Sequence, residues 1–494
     1  MLFILDICLS FTLGGEGVVI RIKEKTLLWF MMLFSLIFAI SVYSIIREQY
    51  ALVILLPVIL FLTGLVYCLR SIYDNIFLFC FLLCFFTFLL CGQTINRVYQ
   101  IYGYNFSDNI ELHTDLVLFI SLIGVLVGYL ITKYTGKEKS ISRGTNYNTV
   151  YCKNIKKISK ILFFCTYFFW ILTLLDTVLF TMQYGYTAYY LSYSSRVPAI
   201  IRQIGYMAPM SFFIFLATMP SKKEAKLPIA LYMAYSVISL GTGRRIHFMV
   251  ALIFIFSYMM FRNKVEPEEI PWVTKKMIVK VLIAIPVLLM AMYMFEYIRS
   301  EYSVGSATEY SPLIGFFVRQ GTSVNVIKYT ELFSDRLNPN ALYSFSNTIE
   351  WMQNGFLGKL FGFDSMFEFG NQSVQTATAG TYLADFVSYN ANPTSYSVGV
   401  GYGSCYIEEL YVDFGYLGVF IGNIFYGFLL SKLSKTALIS RNIWLTAIGF
   451  FMVNELFKAP RATFDACFGR LLYFSYWGPL VLIYVFVTLS HKRK

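Results

Sequence analysis

The sequence predicts an all-α, polytopic integral membrane protein with about twelve transmembrane helices, and three observations carry that prediction. Of 494 residues, 57% are hydrophobic and 19% aromatic, while only 14% are charged. The mean hydropathy of +0.62 lies far above the value for a soluble domain. A hydrocarbon core of about 30 Å needs about 20 apolar residues per helix, and twelve runs approach that length: 27–46, 50–69, 76–92, 116–132, 161–182, 203–219, 227–243, 246–261, 277–295, 408–431, 443–457 and 471–490. Seven of the twelve hold no Asp, Glu, Lys, Arg or His, which favours lipid over a soluble core.

Cytoplasmic loops collect Lys and Arg, so their distribution sets the orientation. Threading twelve spans puts Arg21 to Lys25, Arg70, the 133–160 loop, 220–226, 262–276, 432–441 and the tail His491 to Lys494 on one side, which with Lys280 near the inner end of its span holds 26 of the 40 basic residues. That side reads as cytoplasmic, and both termini with it. Residues 1–20 lack a basic leader and carry Asp6 and Glu16, so they read as a short interfacial piece rather than a cleaved signal. The net charge is +12. The lipid bilayer is the partner this segregation implies, and no nucleic acid is called for.

Arginine and lysine divide unequally between the two sides. The outer side carries eleven Arg (47, 97, 196, 202, 244, 245, 299, 319, 336, 461, 470) and three Lys (328, 359, 458), whereas the inner side has six Arg and twenty Lys. Inner Lys suits topology selection and anionic headgroups. Outer guanidiniums offer planar, permanently charged, bidentate partners for phosphate. Pairing with outer carboxylates is the alternative use of the same charges.

The chain reads as one membrane domain over 1–494, with an outsized outer loop, 296–407, between the ninth and tenth spans. The loop is rich in Tyr, Ser, Asn and Gly yet keeps apolar segments such as Leu313 to Val318 and Phe356 to Phe363, so it is expected to fold against the membrane surface. Loops this long are usually functional. Rings that stack on sugar faces and amides that bond hydroxyls suit carbohydrate, and the same composition describes an interfacial belt. A second outer loop, 183–203, brings Tyr186, Arg196 and Arg202 as further substrate-binding candidates.

The strongest local signal is Gly241-Thr242-Gly243-Arg244-Arg245, at the break between two apolar runs. A helix starting near Arg245 would aim its first N–H groups and positive dipole end at the same place as two guanidiniums. Gly241 and Gly243 permit a concave turn and close approach of a phosphate. An ordinary outer turn also favours Gly and tolerates Arg. Arg319-Gln320-Gly321, and Lys458-Ala459-Pro460-Arg461 followed by Asp465 and Arg470, add charges at the outer ends of other spans, where they would line a wet cavity or snorkel to headgroups. Most of the nine cysteines sit in apolar runs without metal or redox spacing; Cys405 and Cys467 both fall outside and within reach of pairing.

The Gly241 to Arg245 turn before an apolar helix, the late outer loop, the stretch Glu408-Glu409-Leu410-Tyr411-Val412-Asp413-Phe414-Gly415-Tyr416-Leu417-Gly418 and the Pro460-Arg461 to Phe468-Gly469 segment together resemble the oligosaccharide repeat-unit polymerases, the Wzy-type O-antigen or capsule polymerases of bacteria, and shade into the O-antigen ligases. The resemblance implies a GT-C-like glycosyltransferase architecture in the bacterial inner membrane with its active site facing outward. The reaction would move a glycan from undecaprenyl pyrophosphate onto the non-reducing end hydroxyl of another lipid-linked repeat unit, beside flippase and chain-length-regulating partners. The residues meet this independently: charge growing on a departing pyrophosphate is what preorganised Arg and N–H donors stabilise, with no metal or cofactor required. Arg244, Arg245, Arg319 and Arg461 are the residues expected at the pyrophosphate. His247 and Glu409 are the candidates for proton transfer, with Glu408, Asp385, Glu455 and Asp465 also in reach of that role. Gln320, Gly241 and Gly243 join the substrate-binding set. A ligase, and a non-enzymatic lipid-linked oligosaccharide flippase or transporter, are the competing classes, although a transporter should show half-to-half repeats and none is visible.

Overall fold

The computed structural model describes residues 7–13, 16–22, 52–99, 106–135, 147, 149–267, 271–299, 312–362 and 372–492. The apolar run 27–46 lies outside these, and each of the other eleven falls on a helix. In chain order the long helices are α1 (Leu55–Arg70), α2 (Ile72–Arg97), α3 (Asp108–Tyr134), α4 (Val150–Tyr184), α5 (Ala199–Ala217), α6 (Lys222–Ile238), α7 (Ile246–Val265), α8 (Lys275–Arg299), α9 (Tyr406–Leu438), α10 (Ile443–Leu456) and α11 (Phe474–Lys492). Six of them, α2, α3, α4, α5, α7 and α9, are long and apolar enough to cross a membrane, and α1, α10 and α11 contain shorter apolar helices.

One element departs from the all-helical expectation. The segment read as an interfacial piece contains a β-hairpin, with β1 (Ile7–Leu13) antiparallel to β2 (Glu16–Ile22) and Leu13 paired with Glu16. Its signature is Gly14-Gly15, two residues suited to the tight turns that match strand twist, between runs rich in β-branched residues.

The central seam joins α3 to α9. A Cβ on Gly128 would lie 2.1 Å from the Ile424 carbonyl oxygen, and one on Gly427 would lie 2.1 Å from that of Val125, so the two backbones touch. In lipid, where apolar burial gives no driving force between helices, such small-residue contact is what holds helices together. Gly124 and Gly128 form the corresponding G-x-x-x-G pattern of α3. Around the bundle, Phe168, Leu179, Ile283, Val287 and Leu417 each expose 65–68% of their surface, the pattern of side chains that face lipid.

Charges sort to the two ends. At one, Lys133 donates to Asn75 Oδ1 (2.6 Å), Lys264 pairs with Asp74, Lys156 with Glu224 (2.8 Å) and Arg441 with Glu266 (3.4 Å), which gathers the Lys-rich connections. At the other end, the described part of 296–407 forms short helices, among them Pro312–Gly321, Asn325–Leu332, Ser346–Asn354, Leu383–Ala391 and Pro393–Ser397. These described segments pack onto the bundle. Gly92 of α2 abuts the Gly321 carbonyl, and both oxygens of Asp413 on α9 accept backbone N–H groups, from Tyr343 (3.1 Å) and Ser344 (2.7 Å). Cys405 and Cys467 are buried here as free thiols, so the pairing their location allowed is not made.

Candidate active site

The Gly241 to Arg245 turn adopts the strained geometry its glycines permit. A 3-10 turn over Ser239–Thr242 ends at Gly243, whose φ of 76° is left-handed, and α7 then starts without a side-chain cap. The N–H groups of its first turn are therefore left to solvent or an anion. Gly241 packs so closely on α4 that a Cβ would sit 2.9 Å from Val178 Cγ1.

The two arginines diverge. Arg244 lies over the rings of Tyr189 (4.0 Å to the centroid) and Tyr190 (5.1 Å), while Tyr186 bonds the Tyr190 hydroxyl at 3.2 Å. The 183–203 loop thus cradles the guanidinium with aromatic faces. Arg245 turns to α8 instead and donates to the Met292 carbonyl at 2.7 Å. Nearby, Asp176 of α4 fixes the same loop by accepting from the Tyr193 hydroxyl (2.9 Å), the Ser195 hydroxyl (2.8 Å) and the Arg196 N–H (3.1 Å). The Arg196 side chain is exposed, and Arg202 is half-buried in the first turn of α5.

His247, on the first turn of α7, lies in the fields of Arg244, Lys458, Arg470 and Glu455. His247 is exposed and the Arg470 side chain is 39% exposed, so both reach accessible space. Glu455 is the carboxylate beside them and is shared, with Lys458 at 2.5 Å and Arg470 at 3.1 Å. Burial pulls the Lys458 ammonium below the usual lysine range, and Glu455 opposes that pull. Three cations, Arg244, Lys458 and Arg470, thus act on His247 against the carboxylate of Glu455.

Three residues beyond Lys458, Arg461 borders a second cavity of about 250 Å³ lined also by Thr322, Ser323, Ser388, Asn392, Ser395 and Tyr402. Its Nη1 donates to Gln320 Oε1 at 3.4 Å, and its guanidinium lies 5.7 Å from the Phe88 ring. Hydroxyls, an amide, an aromatic ring and a guanidinium around a volume of this size form the donor and acceptor set of a sugar subsite. Arg319, one residue before Gln320, is half-buried. A larger hollow of about 520 Å³ runs along α8 among Ile283, Val287 and Leu288 with Lys280 as its one charged group; it is an open apolar groove on the lipid-facing flank and carries no chemistry.

Among the carboxylates, Glu409 is fully buried with both oxygens engaged, by the Ser404 hydroxyl and by the Phe464 N–H (2.8 Å). It pins the Arg461-bearing segment to α9. Asp465 likewise accepts from Asn347 Nδ2 (2.7 Å), Thr348 N (2.7 Å) and Thr348 Oγ1 (2.8 Å). Asp385 accepts from the Tyr396 hydroxyl (3.0 Å), and burial pushes it up to about 6.

Sequence reasoning missed two constellations. In the first, Gln93 Nε2 bridges Glu111 (2.8 Å) and Asp115 (2.7 Å), Arg97 pairs with Asp115 (3.1 Å), and buried Lys328 holds Glu111 (2.7 Å). Arg97 and Lys328 are thus structural charges, the alternative use of outer cations noted above. The second is His113 of α3, Glu331 and Glu408, whose donor atoms all lie within 4.8 Å of one another. Only Glu408 was singled out from sequence; the spacing of the other two in the chain gives no sign of their meeting.

A bundle of long apolar helices with a cationic cluster and a hydroxyl-lined pocket at one end defines a polytopic membrane protein. The profile of the O-antigen polysaccharide polymerase Wzy family matches residues 26–494, and the chain belongs to that family. It is accordingly a membrane-embedded enzyme of O-antigen repeat-unit polymerisation that acts on lipid-linked oligosaccharide. No curated protein and no solved structure matches it.

Proposed function

We propose that the enzyme transfers a growing glycan from undecaprenyl pyrophosphate to the non-reducing end hydroxyl of a second lipid-linked repeat unit, at the outward face of the bacterial inner membrane. The anomeric C–O bond breaks with its electron pair passing to the pyrophosphate oxygen. The acceptor oxygen forms the new glycosidic bond, and its proton leaves to a base. The observation that carries this reading is the cluster of Arg244, Lys458 and Arg470 around His247, with Glu455 shared between two of them. Fixed cations facing a water-accessible space stabilise a departing diphosphate without reorganisation and without a metal.

In this arrangement Arg244 and the open first turn of α7 receive the diphosphate, and Arg461 stands where diphosphate meets sugar. The pocket beside Gln320 and Arg319 takes the adjoining ring, Arg245 secures α8, and Tyr186, Arg196 and Arg202 border the entrance. His247, neighbour to these cations, lines the substrate space beside them. The GT-C-like architecture, the single membrane domain with residues 296–407 over the outer mouth, the cytoplasmic termini, and a flippase and chain-length regulator as partners complete the proposal.

The test is extension of a defined lipid-linked repeat unit by the purified protein in detergent or nanodiscs, read as a ladder of chain lengths. Wild type should extend, and Arg244→Ala should lower turnover by about a hundredfold or more. A ladder unchanged by Arg244→Ala together with Arg461→Ala removes both arginines from the mechanism.

A further inference from the structure

We propose that His113, Glu331 and Glu408 bind one divalent transition-metal cation, with Zn²⁺ the natural first probe. The three come from separate elements, α3, the loop helix Asn325–Leu332 and the first turn of α9, yet their donor atoms converge within 4.8 Å. Glu408 is wholly buried, and its Oε1 has no hydrogen-bond partner among the described residues. A buried carboxylate oxygen left bare is costly unless a proton or a cation satisfies it. No Lys or Arg pairs with Glu331 or Glu408 among the described residues; the nearby Lys328 is committed to Glu111.

The geometry favours a cation over a simple ion pair. His113 Nε2 stands 3.4 Å from Glu408 Oε2, long for a charge-assisted hydrogen bond. It is close to the edge of a tetrahedron whose ligands lie about 2.0–2.1 Å from a central zinc, an edge of about 3.3 Å. The other imidazole nitrogen, Nδ1, is bonded to the Tyr416 hydroxyl at 3.0 Å, and the Tyr411 ring packs 4.2 Å from the imidazole centroid. Such a partner on the far nitrogen orients a ligating histidine and keeps Nε2 directed at the metal. Gly415, with φ of 65° inside α9, breaks the helix and lets Tyr416 return to His113. Imidazole with two carboxylates is a donor set for Zn²⁺ or Mn²⁺, water completing the coordination.

The cation would clamp α3, α9 and the outer loop together. Its neighbour Glu409 holds the segment carrying Arg461, so the clamp is a positioning device for that arginine rather than part of the transfer step. The experiment is titration of the full-length, chelator-stripped protein in detergent with Zn²⁺, followed by calorimetry, metal analysis and thermal unfolding. One equivalent per chain should bind and raise Tm. Glu331→Gln, whose side chain is only half-buried, should weaken binding at least tenfold, as should His113→Ala, while Glu224→Gln at the opposite end should leave it intact. Absence of saturable one-equivalent binding, or binding unchanged in both cluster variants, overturns the proposal. Neither readout needs polymerase activity, so failure here and failure of the transfer mechanism are separable.

Discussion

Arg461→Ala separates chemistry from stability. The side chain is half-buried, and loss of its long 3.4 Å bond to Gln320 should by itself cost no more than about 0.5–1 kcal/mol, so thermal unfolding measured beside turnover separates the two effects. If the guanidinium stabilises the departing diphosphate, its removal deletes one preorganised donor, worth about 2.7–4 kcal/mol of barrier. Turnover should then fall by about 100- to 1,000-fold. Arg461→Lys keeps the charge but loses the fork of donors, and should retain an intermediate rate. The assay is chain-length extension with purified lipid-linked repeat unit, paired with thermal unfolding of the same preparations. Turnover within about threefold of wild type in Arg461→Ala, a difference under 1 kcal/mol, refutes the assignment. So does a rate loss that merely tracks a collapse in Tm.

Three further outcomes follow from the structure. Lys328→Met leaves Glu111 and Asp115 with one guanidinium between them and should destabilise by about 3–5 kcal/mol, and adding Glu111→Gln should recover part of the loss; thermal unfolding of the single and double variants reads the coupling. Gly128→Leu forces a side chain onto the Ile424 carbonyl and should cost about 1–3 kcal/mol or more, whereas Leu62→Ala on the lipid-facing side of α1 should leave Tm nearly unchanged. Asp385 is held near 6 by burial against about 3.9 unfolded, so its contribution is full below about pH 4 and lost as pH rises through 6, amounting to about 3 kcal/mol at most. Proteolysis of the outer loop should accordingly quicken between pH 5 and pH 7, and Asp385→Asn should abolish that dependence.

The helical bundle was legible because lipid imposes a length and a composition on every span, which any run of apolar residues reveals. The N-terminal hairpin was not, although Gly14-Gly15 between β-branched runs is its signal; the surrounding hydropathy drew attention elsewhere. The turn at Gly241 to Arg245 was found because glycine spacing and charge are local properties of the chain. That Arg244 and Arg245 would part company was not legible, since the direction of each depends on Tyr189, Tyr190 and Met292, residues distant in sequence. The same holds for Lys328 with Glu111 and for His113 with Glu331 and Glu408, which meet only through tertiary packing. The G-x-x-x-G of Gly124 and Gly128 could have been read directly as a helix contact.

The tyrosine cradle of Arg244 has a bearing on selectivity. Phenol rings against the flat guanidinium strip water from its π-surface at the time of folding and leave its N–H groups to in-plane partners. A lysine ammonium, spherical and hydrated on all sides, would discriminate poorly between a headgroup phosphate and a diphosphate ester. On the proposed transfer, a guanidinium held in one plane would prefer the ligand whose oxygens are spaced to meet it, so the cradle would tune recognition by shape as well as by charge.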